Sequence, residues 1–326
     1  MAYFKTFEQH NGYDERIQWI KLNPPDVKLE NERVVELSDI AMNEFFDMYY
    51  VNDTDFKYTK MKKLDKFRPI LRYVGIEPKV KEYVKSQHVK IKEIYNNDDR
   101  LFMLSRKDDW HKEIGDKSYV PKTVFTKADA MELKFPIIAK PASGHSGLGI
   151  QKFKTPEELK SCRKRFDVYS EAINIAQEFR AMFVKDNLYI IYERIYNTKK
   201  NKTMDNKNPE EEVQFVYIEQ DLEKLPCVSE LKKINKDFRE TFPLDFYSID
   251  FCVDDKGKVW VIESNLCSGL HSVQLASAYV AIWKDFTGKN PSKQKMDVAN
   301  GIIEEYRKVI QEDYPKEFKD SKYAAK

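Results

Sequence analysis

Between about residues 101 and 285, short apolar runs alternate with polar punctuation, the pattern of strands joined by tight turns. Residues 135–140 (FPIIAK) form an apolar run that stops at Pro141 and predict a buried strand. A glycine-rich stretch, 143–149 (SGHSGLG), separates it from a second strand over 149–153. Thr155-Pro156-Glu157-Glu158 predicts a helix start: Thr155 suits the N-cap, Pro156 the first helical position, and Glu158 completes a capping box. Residues 168–171 predict a short strand. The runs 179–184 and 188–193 flank Lys185-Asp186-Asn187 and predict a hairpin. Another strand is expected at 213–218. A second hairpin joins 246–253 to 259–263 through Asp254-Asp255-Lys256-Gly257, and 270–283 reads as a helix.

The flanking regions are patterned differently. Residues 1–100 are poor in glycine and rich in Lys, Asp, Tyr and Phe, and 33–50 and 79–95 carry mixed helical periodicity. They predict an N-terminal domain of mixed α/β or helical character, without a phosphate loop. Residues 287–326 predict a packing helix around 298–309 and a tail. The segment 197–212 (NTKKNKTMDNKNPEEE) is apolar-poor and split into basic and acidic halves, which predicts a mobile loop.

Charge narrows the classes of partner. Lys plus Arg total 56 and Asp plus Glu 54, a formal net charge of +2, so no general basic field for nucleic acid is present. Residues 1–11 have no apolar signal core, and no stretch approaches the roughly 18 apolar residues of a membrane helix. These features predict a cytoplasmic protein with no membrane partner. The cysteines, Cys162, Cys227, Cys252 and Cys267, form no CxxC pair and have no histidine at zinc-ligand spacing. Free thiols in a reducing compartment are expected.

Three groups of residues carry candidate chemistry. The first is the glycine-rich stretch, in which Gly144, Gly147 and Gly149 lie between two strands, preceded by Lys140. Glycines let backbone N–H groups approach phosphate oxygens without a Cβ in the way. It is not a P-loop, because GxxxxGK[ST] is absent, and it leads into a strand rather than the helix of a dinucleotide fingerprint. A glycine-rich hairpin over ATP phosphates fits it. The second group is Asp250, Glu263 and Asn265. Asp250 lies inside the apolar strand FYSIDFCV, where an unpaired carboxylate is costly. Glu263 and Asn265 are two residues apart and share a side of their strand. Two carboxylates and an amide oxygen are hard donors suited to Mg²⁺. The third group, Glu171 and Glu178, reads from the residues alone as two solvated acids.

In this order and approximate spacing, Lys140, SGHSGLG, Glu171 with Glu178, and Asp250…Glu263-x-Asn265 resemble the ATP-grasp superfamily over residues 101–285. The resemblance is to its carboxylate–amine ligases: D-alanine–D-alanine ligases, ribosomal-protein glutamate ligases and tubulin–tyrosine-ligase-like enzymes. It implies an α+β chain in which two lobes with antiparallel sheets clasp ATP, a small lobe of about 105–170 and a large lobe of about 171–286. Lys140, and Lys107 in SRKDDW, would contact phosphates. Ser143, Gly144, His145, Ser146, Gly147 and Gly149 would cap them. Glu171 with the backbone of Ala172 and Ile173 would hold adenine, and Glu178 the ribose. Asp250, Glu263 and Asn265 would bind two Mg²⁺ ions. Ser268, Gly269 and His271, in the loop after Asn265, would meet the acceptor.

One position departs from the family pattern. Many members carry an arginine two residues before the first metal-binding aspartate, and Ser248 stands there. Arg194, Arg180 and Arg239 are the candidates to supply that charge, Arg194 foremost. The implied reaction joins a small-molecule carboxylate to an amine through an acyl phosphate, with an amino acid, a peptide or a modified macromolecule as acceptor. The rivals are an ATP-grasp small-molecule kinase and a non-catalytic nucleotide-binding module.

Overall fold

The computed structural model describes residues 17–22, 46–51, 70–72, 93–96, 101, 106–143, 149–196, 212–218, 222–265 and 273–313. The chain divides into two compact units, one taking residues 1–73, 78–95 and 271–303, the other 74–77, 96–270 and 304–326.

The first unit contains a parallel sheet of β1 (Ile17–Leu22), β2 (Phe46–Val51), β3 (Ile70–Arg72) and β4 (Glu93–Tyr95) in the order β2-β1-β3-β4. This corrects part of the helical reading of 33–50 and 79–95. The runs FDMYYV and EIY are strands, rich in the aromatic and β-branched residues that suit a pleated sheet. Parallel pairing joins strands that lie far apart in the sequence, so counting periods within one segment does not reveal it.

The second unit holds two antiparallel sheets. The smaller is built from β5 (Thr123–Val124), β6 (Ile137–Lys140), β7 (Gln151–Phe153) and β8 (Val168–Glu171) in the order β5-β8-β6-β7. Three helices belong to this part of the chain: α1 (Lys107–Ile114), α2 (Lys127–Ala130) and α3 (Pro156–Ser161). At α3 the Thr155 hydroxyl accepts the Glu158 N–H (3.3 Å), and the Glu158 carboxylate reaches back to the Lys154 N–H (2.7 Å). Ile137, Ala139, Phe153, Leu159, Phe166 and Tyr169 form the lobe's core.

The larger sheet is β11-β10-β9-β12-β13, made of β9 (Ile175–Val184), β10 (Asn187–Tyr196), β11 (Glu212–Ile218), β12 (Phe246–Asp254) and β13 (Val259–Asn265). Lys185, at φ 52°, turns the first hairpin and Gly257, at φ 83°, the second, where its N–H donates to the Asp254 carbonyl (3.0 Å). The 197–211 segment of the expected loop lies outside the described residues, and Glu212 opens β11.

α4 (Val228–Thr241) has no counterpart in the reading of the sequence. It buries Val228, Leu231, Ile234, Asn235 and Phe238, a helical repeat that is legible in hindsight. Val228, Leu231, Ile234 and Phe238 join Trp110, Ile114, Phe179, Phe183, Ile249, Phe251 and Val261 in the main core. The first unit also contains α5 (Val273–Thr287). α6 (Lys293–Asp313) follows, with the Lys295 ammonium 5.0 Å from the centre of the Trp283 ring. Among the described residues, no helix is long and apolar enough to cross a membrane, and Cys162, Cys227 and Cys252 are free thiols.

Candidate active site

Side chains alternate across a strand, and directly paired residues on neighbouring strands share a face. The register pairs Arg180 with both Asp250 and Tyr192, and Glu178 with Arg194. Glu178, Arg180, Arg194 and Asp250 therefore stand on one face of the large sheet. Phe179, Ala181, Ile249 and Phe251 stand on the opposite face, in the core.

β13 joins this arrangement through an irregularity. Asp250 pairs with Glu263, but its neighbour Phe251 pairs with Val261, so Ile262 is an extra residue in β13. Such a bulge shifts the alternation by one. With Ile262 inserted, Val261 lies with Phe251 on the core face, whereas Glu263 and Asn265, paired with Asp250 and Ser248, lie on the charged face. If the strand ran on without the bulge, Ile262 would oppose Asp250 and Glu263 would turn toward the core.

The electrostatics are those of a buried charge network. The Arg180 guanidinium grips Asp250 with two parallel hydrogen bonds, Nε to Oδ1 and Nη2 to Oδ2, the second at 2.6 Å. Nη2 of Arg194 lies 3.4 Å from Asp250 Oδ2, and Nη1 donates to Glu178 Oε1 at 3.2 Å. The Asp250 side chain is only 4% exposed and those of Arg180 and Arg194 19% and 13%. Burial pulls the Arg180 pKa down, and the Asp250 carboxylate outweighs it, so Arg180 is held well above its ordinary value and stays charged. At the rim, Lys107 Nζ is 3.7 Å from Glu263 Oε2.

Lys107 opens α1 and Lys140 ends β6 as a buried lysine. His111, one turn after Lys107, is also buried. Its pKa is lowered to about 3, first by burial and then by the charges of Lys140 and Lys107, so the imidazole is neutral. Asp250, Glu263, Asn265, Arg180, Arg194, Glu178 and Lys107 are thus brought together by one sheet and one helix.

Other expected residues are placed differently. Arg239 is not at this cluster: its Nε donates to the Leu244 carbonyl (3.0 Å) and its Nη1 meets Asp186 (2.5 Å), at the turn that closes the far end of β9. Helix α4 carries it there, and the expectation that it supplies the missing charge is corrected. Glu171 accepts the Lys134 N–H on its carboxylate (3.0 Å), and the Ala172 N–H donates to the Pro136 carbonyl (2.9 Å). Ile173 lies in the short link from β8 to β9. Ser143 is exposed, and Gly149 sits at φ 80° with its absent Cβ facing the Pro141 ring. Gly144, His145, Ser146, Gly147, Ser268, Gly269 and His271, together with Cys267, lie outside the described residues.

Three oxygen donors on one face fit a hard divalent cation. Among the described residues no three His, Cys, Asp or Glu side chains gather as a metal site, so the set rests on two carboxylates and the Asn265 amide. Asp250 would share its oxygens between a cation and two guanidinium groups. A carboxylate, with about four lone-pair positions, can do so.

A family model, D-ala D-ala ligase C-terminus, matches residues 109–291, more than half of the chain. The chain belongs to this family. It is therefore an ATP-dependent ligase with the ATP-grasp fold, of the carboxylate–amine ligase class. Solved structures share the fold of this ATP-grasp ligase at low sequence identity. D-alanine–D-alanine ligase from Bacillus anthracis is 18% identical, with 90% of this chain and 99% of that one covered and a TM-score of 0.50. A RiPP-associated ATP-grasp ligase from Chryseobacterium gregarium, solved with ADP and a leader and core peptide, is 13% identical (84% and 98% covered, TM-score 0.53). N5-carboxyaminoimidazole synthetase from Staphylococcus aureus is 11% identical (82% and 77% covered, TM-score 0.55). A search of curated proteins gives no match.

Proposed function

We propose that this ligase activates a carboxylate as an acyl phosphate with Mg-ATP, passes the acyl group to an amine, and releases ADP and phosphate. The observation that carries the reading is the convergence of Arg180 and Arg194 on Asp250, with Glu263 and Lys107 at the rim of the same face. A carboxylate attacking a γ-phosphate brings negative charges together, and preorganised cations lower that barrier. Arg180 and Arg194 take the part of the arginine that Ser248 replaces. Lys107 and Lys140 hold phosphate oxygens. Asp250, Glu263 and Asn265 hold Mg²⁺, which when bound neutralises charge on the triphosphate. Glu178 serves the ribose and holds Arg194 in place. Adenine lies against the 172–174 link, using backbone groups other than the Ala172 N–H, which is engaged.

The acceptor belongs to one of three classes: an amino acid, a peptide or a modified macromolecule. The peptide bound to the Chryseobacterium gregarium ligase supports including peptides. The loop with Ser268, Gly269 and His271 is proposed to meet the acceptor, residues 105–170 to form the small lobe and 171–286 the large lobe. The protein is proposed to work in the cytoplasm.

The test is product analysis. The protein is incubated with Mg-ATP and pooled acids, amines and peptides, and ADP release is followed together with product masses. ADP release matched by a mass of acid plus amine minus water is expected; a phosphorylated product would make it a kinase instead. Glu263→Gln is the informative variant, because Glu263 is partly exposed whereas Asp250 neutralises buried arginines. It should lower turnover by about 10²–10³-fold with little change in thermal stability. Unchanged turnover would remove Glu263 from the site.

A further inference from the structure

The two proposed phosphate lysines are far apart in sequence, yet their backbones are tied together through one carboxylate. The ladder between β6 and β8 runs to Lys140, whose carbonyl accepts the Asp167 N–H (3.1 Å). Pro141 follows and has no N–H, so no further rung can form there. The side chain of Asp167 takes over, accepting the Ala142 N–H on Oδ2 at 2.7 Å. The Ala142 carbonyl in turn accepts the Lys107 N–H at 2.9 Å. This bond matters because α1 starts without a side-chain cap: its N-cap residue, Arg106, makes no such bond. The first N–H of a helix needs an outside acceptor, and Ala142 provides it. The same approach to β8 also reaches the other end of the glycine-rich stretch, where Lys164 Nζ lies 3.3 Å from the Gly149 carbonyl.

We propose that Asp167 is a positioning residue for the triphosphate: it fixes the turn after Lys140 and, through Ala142, the start of the helix that carries Lys107. This rests on the reading of those lysines as phosphate ligands, but the anchor itself can be measured without nucleotide. Asp167 touches neither lysine side chain in this chain of bonds; it acts through backbone groups. A carboxylate accepting a backbone N–H is a charge-assisted bond, stronger than a neutral one. Asparagine keeps an acceptor at the same place and alanine removes it, so the two substitutions separate the bond from the fold.

Amide hydrogen exchange of the nucleotide-free protein tests the anchor. In Asp167→Ala, peptides covering 106–112 and 140–143 should exchange about tenfold faster, the factor expected for one lost hydrogen bond. Asp167→Asn should restore most of the protection. Thr155→Ala, a cap removal in the same lobe, should leave both peptides unchanged. Unchanged exchange in Asp167→Ala, or no rescue by asparagine, overturns the proposal. Calorimetric titration then reads the consequence. Asp167→Ala should weaken Mg-ATP binding about tenfold and leave adenosine binding within about twofold, since adenosine carries no phosphate. An equal loss for both ligands would make Asp167 a general fold residue and refute the positioning role. A wild-type protein that binds no ATP would refute the proposed function, while the exchange data would still decide whether the anchor exists.

Discussion

Strands β9, β10 and β12 present two unlike faces built from alternate residues of the same segments. One face is apolar and closed: Phe179 stacks on Phe251 with ring centres 5.1 Å apart, and Phe183 on Tyr247 at 5.4 Å. The other carries Glu178, Arg180, Arg194 and Asp250, and its stability depends on charge balance. Removing an atom from the first leaves a cavity. Removing a charge from the second leaves its partner buried and uncompensated. The two faces thus fail differently although each residue is one step from a residue of the other kind.

That contrast can be broken experimentally. Asp250→Ala should cost about 3–5 kcal/mol of stability, because it takes the buried partner from Arg180 and leaves Arg194 with Glu178 alone, and should also abolish ATP turnover. Phe251→Ala should cost a similar 3–5 kcal/mol through its cavity, yet keep turnover per folded molecule within about threefold. Urea melts and steady-state assays on the two variants decide it; equal losses of turnover would mean that the faces are not separable.

A smaller effect sharpens the comparison at the edge of the core. His111 lies on α1 with its ring 4.5 Å from that of Trp110, within the field of Lys107 and Lys140. The unfolded chain takes up a proton there near pH 6.5, whereas the folded chain refuses it down to about 3. Its contribution to stability is complete above pH 6.5 and is lost as pH falls through that window. Going from about pH 7 to about pH 5 should cost the wild type about 2 kcal/mol more than it costs His111→Asn. Identical pH slopes in urea melts would show that the buried imidazole is not held neutral. The smallest effect belongs to Thr155→Ala, which removes the cap of α3, away from both faces. It should cost about 1 kcal/mol and leave ATP affinity as it is.

Local patterns were legible in the sequence and non-local ones were not. The β12–β13 hairpin could be read because Asp254–Gly257 punctuates two adjacent apolar runs. The capped start of α3 could be read because Thr155, Pro156 and Glu158 are neighbours. Asp250 stood out as a carboxylate in an apolar strand, but its actual partner, Arg180, is on a strand 70 residues earlier, and only the β9–β12 register makes them neighbours. Arg194 can be suggested from its place at a strand end, whereas Arg239, a candidate without that support, is carried away from the cluster by α4. Asp167 gives no signal at all, since its role depends on the missing N–H of Pro141, just past the end of another strand. The parallel sheet of the first unit is not legible for a related reason: its strands lie far apart in sequence and meet only through non-local pairing.

The extra residue at Ile262 gives the second hairpin the property of a reading frame. Replacing one side chain in residues 259–265 alters one position. Adding a residue, or deleting one other than Ile262, shifts the alternation on one side of the change, whereas deleting Ile262 itself removes the bulge and leaves Glu263 opposite Asp250. Evolution or a designer can therefore vary the composition of this strand more freely than its length, and among one-residue deletions the loss of Ile262 is the one that keeps Glu263 beside Asp250.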